Sequence, residues 1–250
     1  RKLGMNSWII GKTHMKVDAE GMARLGLAAD SVIGARQVEC GFDNWVRDDG
    51  LWGYGPDGYY DENRSPYNEY LKSKGYDGEN PWSDYANAGI SDDKIASGWM
   101  FRNADTPANI REQDSETPWL TGQAIDFIDQ AEGPWMAHVS FIKPHWPYIV
   151  PAPYHNMFGP KDVPAAQRHE VEREDPHPVY GAYMGNKVAS AFQRKDVRDK
   201  VIPAYMGLIK QCDDQLGRLL DHLEATGRMQ DTMIVLTSDH GDYLGDHWLG

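Results

Sequence analysis

Met233-Ile-Val-Leu-Thr-Ser-Asp-His240 is the stretch on which the fold turns. An apolar run with β-branched residues follows a turn signal at Gly227 to Asp231. That pattern predicts a buried strand over 232–237. Such a strand delivers Asp239 and His240 to its C-terminal end, the edge where open α/β sheets gather ligands. A carboxylate oxygen beside an imidazole nitrogen suits a hard or borderline divalent cation. The competing reading makes Asp239 the cap of a following helix and His240 a surface residue.

Upstream, apolar residues recur at three and four from Lys195 to Thr226, among them Ile202, Ile209, Leu216 and Leu223. The spacing predicts a long helix, with Pro203 as a kink or as its start and Gly227 as its stop. Pro134 leads into a strand from Trp135 to Ile142; Pro144 and Pro147 end it and leave His145 on its C-terminal side. Glu116 to Gln130 reads as a helix with Leu120, Ala124, Phe127 and Ile128 on its apolar side. Ser7 to Ile10 is a short strand running into Gly11-Lys12-Thr13-His14. Strand, crossover helix and strand give right-handed parallel pairing of 135–142 with 232–237. The fold class expected is α/β, a mostly parallel sheet sandwiched by helices.

Residues 1–250 read as one domain without a linker. Within it, 42–101 is rich in aromatic residues and punctuated by Gly, Pro, Asp and Asn, as in an insert or a loop region. Its rings either line a pocket for a sugar, choline-like or aryl group, or pack the insert, and packing is the more economical reading. Residues 150–186 are rich in Pro and His and read as loops. The net charge of −13 argues against a nucleic-acid surface, which needs clustered Lys and Arg. It leaves an anionic substrate open, because a metal ion and local cations can reverse the field in a cleft. No apolar run approaches the roughly 18 residues of a membrane helix. Cys40 and Cys212 stand in unrelated contexts and read as buried thiols, not as a disulfide.

Three segments resemble one family. Thr237-Ser-Asp-His-Gly241 with Leu244-Gly-Asp-His247 looks like the metal-binding strand end of the sulfatases, in the alkaline-phosphatase-like superfamily. Gly11-Lys12-Thr13-His14 resembles the family's Gly-Lys-(Trp/Thr)-His motif, and Phe141-Ile-Lys-Pro-His145-Trp-Pro-Tyr148 a segment carrying another active-site His. The three fall in the family's order; Gly41-Phe42-Asp43 and Ser115 to Ile128 fit as well. The Asp-His form resembles the branch of choline sulfatases, iduronate sulfatases and phosphonate monoester hydrolases.

The resemblance implies that Asp239 and His240 ligate a divalent metal ion, calcium first, with manganese or zinc as alternatives. It implies that Lys12, His14 and His145 act on the ester, with Lys12 and His145 binding the transferred group. Asp242, Asp246 and His247 are expected to support that site or to cap a helix. Residues equivalent to the family's nucleophile motif, Cys/Ser-x-Pro-x-Arg, do not occur; neither Cys40 nor Cys212 is followed by that pattern. The Asp-Asp metal pair expected near the family's N-terminus is also absent. The expectation is therefore an internal piece of a longer enzyme, with little or no turnover by itself. By the resemblance, its parent would hydrolyse sulfate esters as a metal-dependent sulfatase whose motif Cys or Ser is matured to formylglycine. Alternatives are a phosphonate monoester or phosphodiester hydrolase and a non-catalytic glycan-binding relative. The expected partner is a small-molecule sulfate or phosphonate ester, with no nucleic acid and no membrane. A homo-oligomer and the compartment stay open.

Overall fold

The computed structural model describes residues 4–13, 19–27, 42–50 and 65–250. Its centre is a parallel three-stranded sheet in the order β2-β1-β5. β1 is Asn6–Gly11, β2 is Asp43–Arg47 and β5 is Trp135–Ser140. Ile9 and Ile10 are both fully buried, as a central parallel strand covered on its two faces requires. Ile10 sits opposite Val46 on one side and Val139 on the other.

Between these strands come α1 (Ala19–Arg24), α2 (Pro66–Ser73), the antiparallel hairpin β3–β4 (Ala88–Ser91, Lys94–Ser97) and α3 (Glu116–Gln130). After β5 follow α4 (Pro178–Met184), α5 (Lys187–Phe192) and α6 (Lys195–Ala225). α3 has the bounds its apolar periodicity predicts. It lays Leu120, Ala124 and Phe127 towards β1 and packs its other side on α6. α6 runs through Pro203 and buries Val201, Ile202, Leu208 and Gln211. Gly227 lies just beyond it at φ +73°, the left-handed conformation that stops a helix at no steric cost to glycine. These elements give the α/β class expected.

The strand expected over 232–237 does not form. Among the described residues the segment makes no ladder, and Val235 and Leu236 are 76% and 74% exposed. Apolar patterning shows that a segment seeks cover; it does not provide the neighbour whose N–H and C=O groups complete a strand. The expected pairing with 135–142 is absent for the same reason, and β5 pairs with β1 instead.

The region 42–101 holds more regular structure than its composition predicts. Besides β2 and α2 it contains the β3–β4 hairpin, and its described rings pack inwards. Tyr67 and Trp82 are buried in one core cluster with Trp119 and Phe127, and Trp45 meets Phe127 edge-on. Trp52, Tyr54, Tyr59 and Tyr60 lie outside the described residues. A second cluster joins Tyr148, Phe192, Val201 and Leu208 under the 150–186 segment. No helix among the described residues is long and apolar enough to cross a membrane.

Candidate active site

Because β1, β2 and β5 run parallel, their C-terminal ends emerge together at one edge of the sheet. Gly11 makes the first of these ends passable. Its φ is +106°, and a Cβ there would lie 2.2 Å from the Ser140 carbonyl oxygen. The close approach lets Lys12 N donate to Ser140 O (3.1 Å) and Asp48 N donate to Gly11 O (3.2 Å). Thr13 N donates to Asp49 Oδ1 (2.9 Å), and Arg47 Nε donates to the other oxygen of that carboxylate (2.7 Å). Lys12 is thus held between the ends of β2 and β5. His14 lies outside the described residues.

His145 follows β5 in a tight loop, with its N–H donating to Ile142 O (3.0 Å). Its Nδ1 lies 2.6 Å from Trp146 O. A carbonyl only accepts, so Nδ1 carries the proton and Nε2 is left for a substrate. Burial pushes the imidazole pKa down. The Trp146 carbonyl and Asp242 oppose that shift, while the charges of Lys12 and Lys143 add to it.

Asp239 and His240 sit together and are largely exposed. His240 N donates to Asp239 Oδ1 (2.8 Å) and holds that carboxyl below the usual range, with help from the nearby charges of His240 and Lys12. His240 Nδ1 donates to Gly241 O (3.0 Å), which turns Nε2 to within 3.7 Å of Asp239 Oδ2. One hard oxygen and one borderline nitrogen on neighbouring residues fit part of a divalent cation's shell. Among the described residues no third His, Cys, Asp or Glu joins them. No helix begins at Asp239, so it caps none.

Asp242 stands close to His145 and to the phenols of Tyr148 and Tyr205. Burial first, and then that carboxylate, push both phenols up, Tyr205 to about 12. Asp246 and His247 point elsewhere: Asp246 accepts from Gln167 N (2.9 Å), and His247 Nδ1 meets Glu172 (2.8 Å). They tie the end of the chain to the 167–172 turn.

Sequence reasoning passed over two groups beside the site. Arg47 ends β2 and Asp48-Asp-Gly50 follows it, and that strand-end position is their only signal in the sequence. Asn87, Glu116 and Lys143 are buried polar residues that line one small cavity; Glu116 and Lys143 lie in family-like segments, but nothing in the sequence brings the three together. Cys212 donates to Lys143 O (3.4 Å), and burial pushes its thiol up to about 11. That makes it an unreactive thiol at neutral pH, as its context predicts; Cys40 lies outside the described residues.

Comparison with known proteins identifies the family. The sulfatase family model matches residues 1–250. The multifunctional alkaline phosphatase superfamily protein PehA of Trinickia caryophylli is 33% identical over 159 residues, which is 58% of this chain and 31% of that protein. The choline-sulfatase of Rhizobium meliloti is 28% identical over 152 residues, 56% of this chain and 29% of its own. The phosphonate monoester hydrolase of Agrobacterium radiobacter superposes with a TM-score of 0.76 at 26% identity, covering 99% of this chain and 47% of that structure. The chain thus spans about a third to a half of the proteins it matches. It belongs to the sulfatase family, within the alkaline-phosphatase-like superfamily.

Proposed function

We propose that the whole protein hydrolyses sulfate esters at the sheet edge where Lys12, His145 and Asp239–His240 meet. The observation that carries this reading is electrostatic. Lys12 lies near enough to His145 and to Asp239 for its charge to act on both, which supports grouping the three around one anion. In a chain of net charge −13, that local cation gives an anionic ester a place to bind.

Each residue then has a defined task. The Lys12 ammonium is a compact positive charge for a non-bridging ester oxygen. His145 is neutral at rest because burial lowers its pKa. A bound anion raises that pKa, so Nε2 takes up a proton and can pass it to the departing oxygen. Asp239 and His240 would hold a divalent cation, calcium by family resemblance, which supplies Lewis acidity at the ester. Tyr148 and Tyr205 lie near Asp242, which itself lies near His145. His14 is assigned to the ester on family resemblance alone.

A phosphonate monoester or phosphodiester is the second reading, favoured by the match to phosphonate monoester hydrolases over 99% of this chain. The test compares kcat/KM of the full-length protein on an aryl sulfate, an aryl phosphonate monoester and an aryl phosphodiester. The first reading expects the sulfate to lead, with kcat/KM collapsing in Lys12→Met. Preference for either phosphorus ester selects the second. Absence of turnover on all three, with metal supplied, removes both and favours a binding role.

A further inference from the structure

We propose that Lys143 is a positioning residue: its buried ammonium closes the loop that presents His145 and so fixes the imidazole at the sheet edge. The inference rests on the role given to His145 above.

Residues 142–147 read Ile-Lys-Pro-His-Trp-Pro. Pro144 and Pro147 have no N–H, so the loop has few backbone donors with which to hold its own shape. Lys143 supplies one from its side chain. Its Nζ donates across the loop to Pro147 O (3.0 Å) and outwards to Asn87 Oδ1 (2.8 Å). Asn87 is a firm anchor. It is fully buried, its Nδ2 donates to Trp82 O (3.0 Å), and its own carbonyl accepts from Gly98 N (2.8 Å) beyond the β3–β4 hairpin. His145 lies between the two tied ends, and its ring is oriented by Trp146 O of the same loop. Holding Pro147 therefore holds the carbonyl that sets the imidazole.

The arrangement is costly, which points to a task beyond packing. Lys143 is only 8% exposed, and burial pulls its pKa down to about 8 against the favourable charge of Glu116. Glu116 is 5% exposed; Trp82 Nε1 donates to one of its oxygens (3.0 Å) and the other has no protein partner. A cavity of about 10 Å³, room for one water molecule, is lined by both residues with Asn87 and Gln211. An apolar side chain would fill this place without desolvating a charge. Two of the three Lys143 donors are used on Asn87 and Pro147, and its burial keeps the ammonium off the open sheet edge.

The experiment is a double-mutant cycle in the full-length protein on its best ester, using Lys143→Met and His145→Ala. Misplacing a catalytic group by about 1 Å costs on the order of 100-fold. Lys143→Met is therefore expected to lower kcat by about 10- to 100-fold with KM changed by less than about threefold. In the His145→Ala background the same change should cost less than about threefold, because the residue it positions is gone. Lys143→Gln keeps a side-chain N–H and should recover part of kcat; it replaces Lys143→Met in the cycle if the latter does not fold. An equal loss with and without His145 would overturn the proposal and leave Lys143 a structural residue. So would an unchanged kcat in a folded variant. A wild type without turnover, or one indifferent to His145→Ala, would instead overturn the function on which the proposal stands.

Discussion

Replacing Gly11 by Ala tests how closely β1 and β5 approach at the point where Lys12 leaves the sheet. At φ +106° an alanine is in a region that L residues rarely adopt, at about 1–3 kcal/mol. The new Cβ would stand 2.2 Å from Ser140 O and 2.7 Å from Leu120 Cδ2. The first of these is backbone and cannot rotate away, so one strand must move by most of an ångström. Overpacking of this kind costs about 1–3 kcal/mol. The movement also weakens the Lys12 N to Ser140 O bond, worth about 0.5–1.5 kcal/mol. Together these give about 2.5–7.5 kcal/mol, or a Tm lowered by roughly 5–30 °C at about 2–4 °C per kcal/mol. Differential scanning calorimetry of the full-length protein reads the shift, and kcat/KM reads the displacement of Lys12. A fall of less than about 3 °C with kcat/KM intact would refute the close approach on which this account of the strand end depends.

Phe127 is buried against Trp8, Trp45 and Trp135, so Phe127→Ala should cost about 3–5 kcal/mol in denaturant unfolding; a loss below about 1 kcal/mol would contradict that packing. The buried His145 has its folded-state pKa below the unfolded value of about 6.5. The folded protein then binds fewer protons than the unfolded chain in that window, so this residue's contribution is intact above it and declines as pH falls through it. Melts between about pH 5 and 7.5 should show a decline that His145→Gln flattens; identical profiles would count against the buried imidazole. Calcium, manganese or zinc at about 100 times its Kd should raise stability by about 2.7 kcal/mol, and Asp239→Asn with His240→Ala should abolish the gain. A gain that survives the double substitution would place the cation elsewhere.

Helices and strands were legible where one segment's own pattern decides the outcome. α3 appears with the bounds its apolar face predicts, and α6 stops at the glycine that the pattern singles out. The segment 232–237 shows the limit of such reasoning. Its β-branched apolar residues are strand-like, yet a strand is defined by its neighbour, and no residue within the segment specifies one. The hairpin β3–β4 escaped notice for a related reason. Its turn is Asp92-Asp93, at φ +50° and +57°, where glycine or asparagine would have given a stronger signal. Lys12, His145, Asp239 and His240 stood out because each lies inside a recognisable motif, and Lys12 and His145 also follow strands that form. The meeting of Asn87, Glu116 and Lys143 was not legible, because buried polar residues far apart in sequence become informative only once the fold has brought them together.

A crystal structure of the full-length protein with a divalent cation and inorganic sulfate tests the central claim most directly. The account predicts one cation bound by Asp239 and His240 at about 2.0–2.6 Å. It also predicts a sulfate beside that cation, with Lys12 Nζ and His145 Nε2 at hydrogen-bonding distance. A cation held by other residues, or a sulfate out of reach of Lys12 and His145, would contradict it.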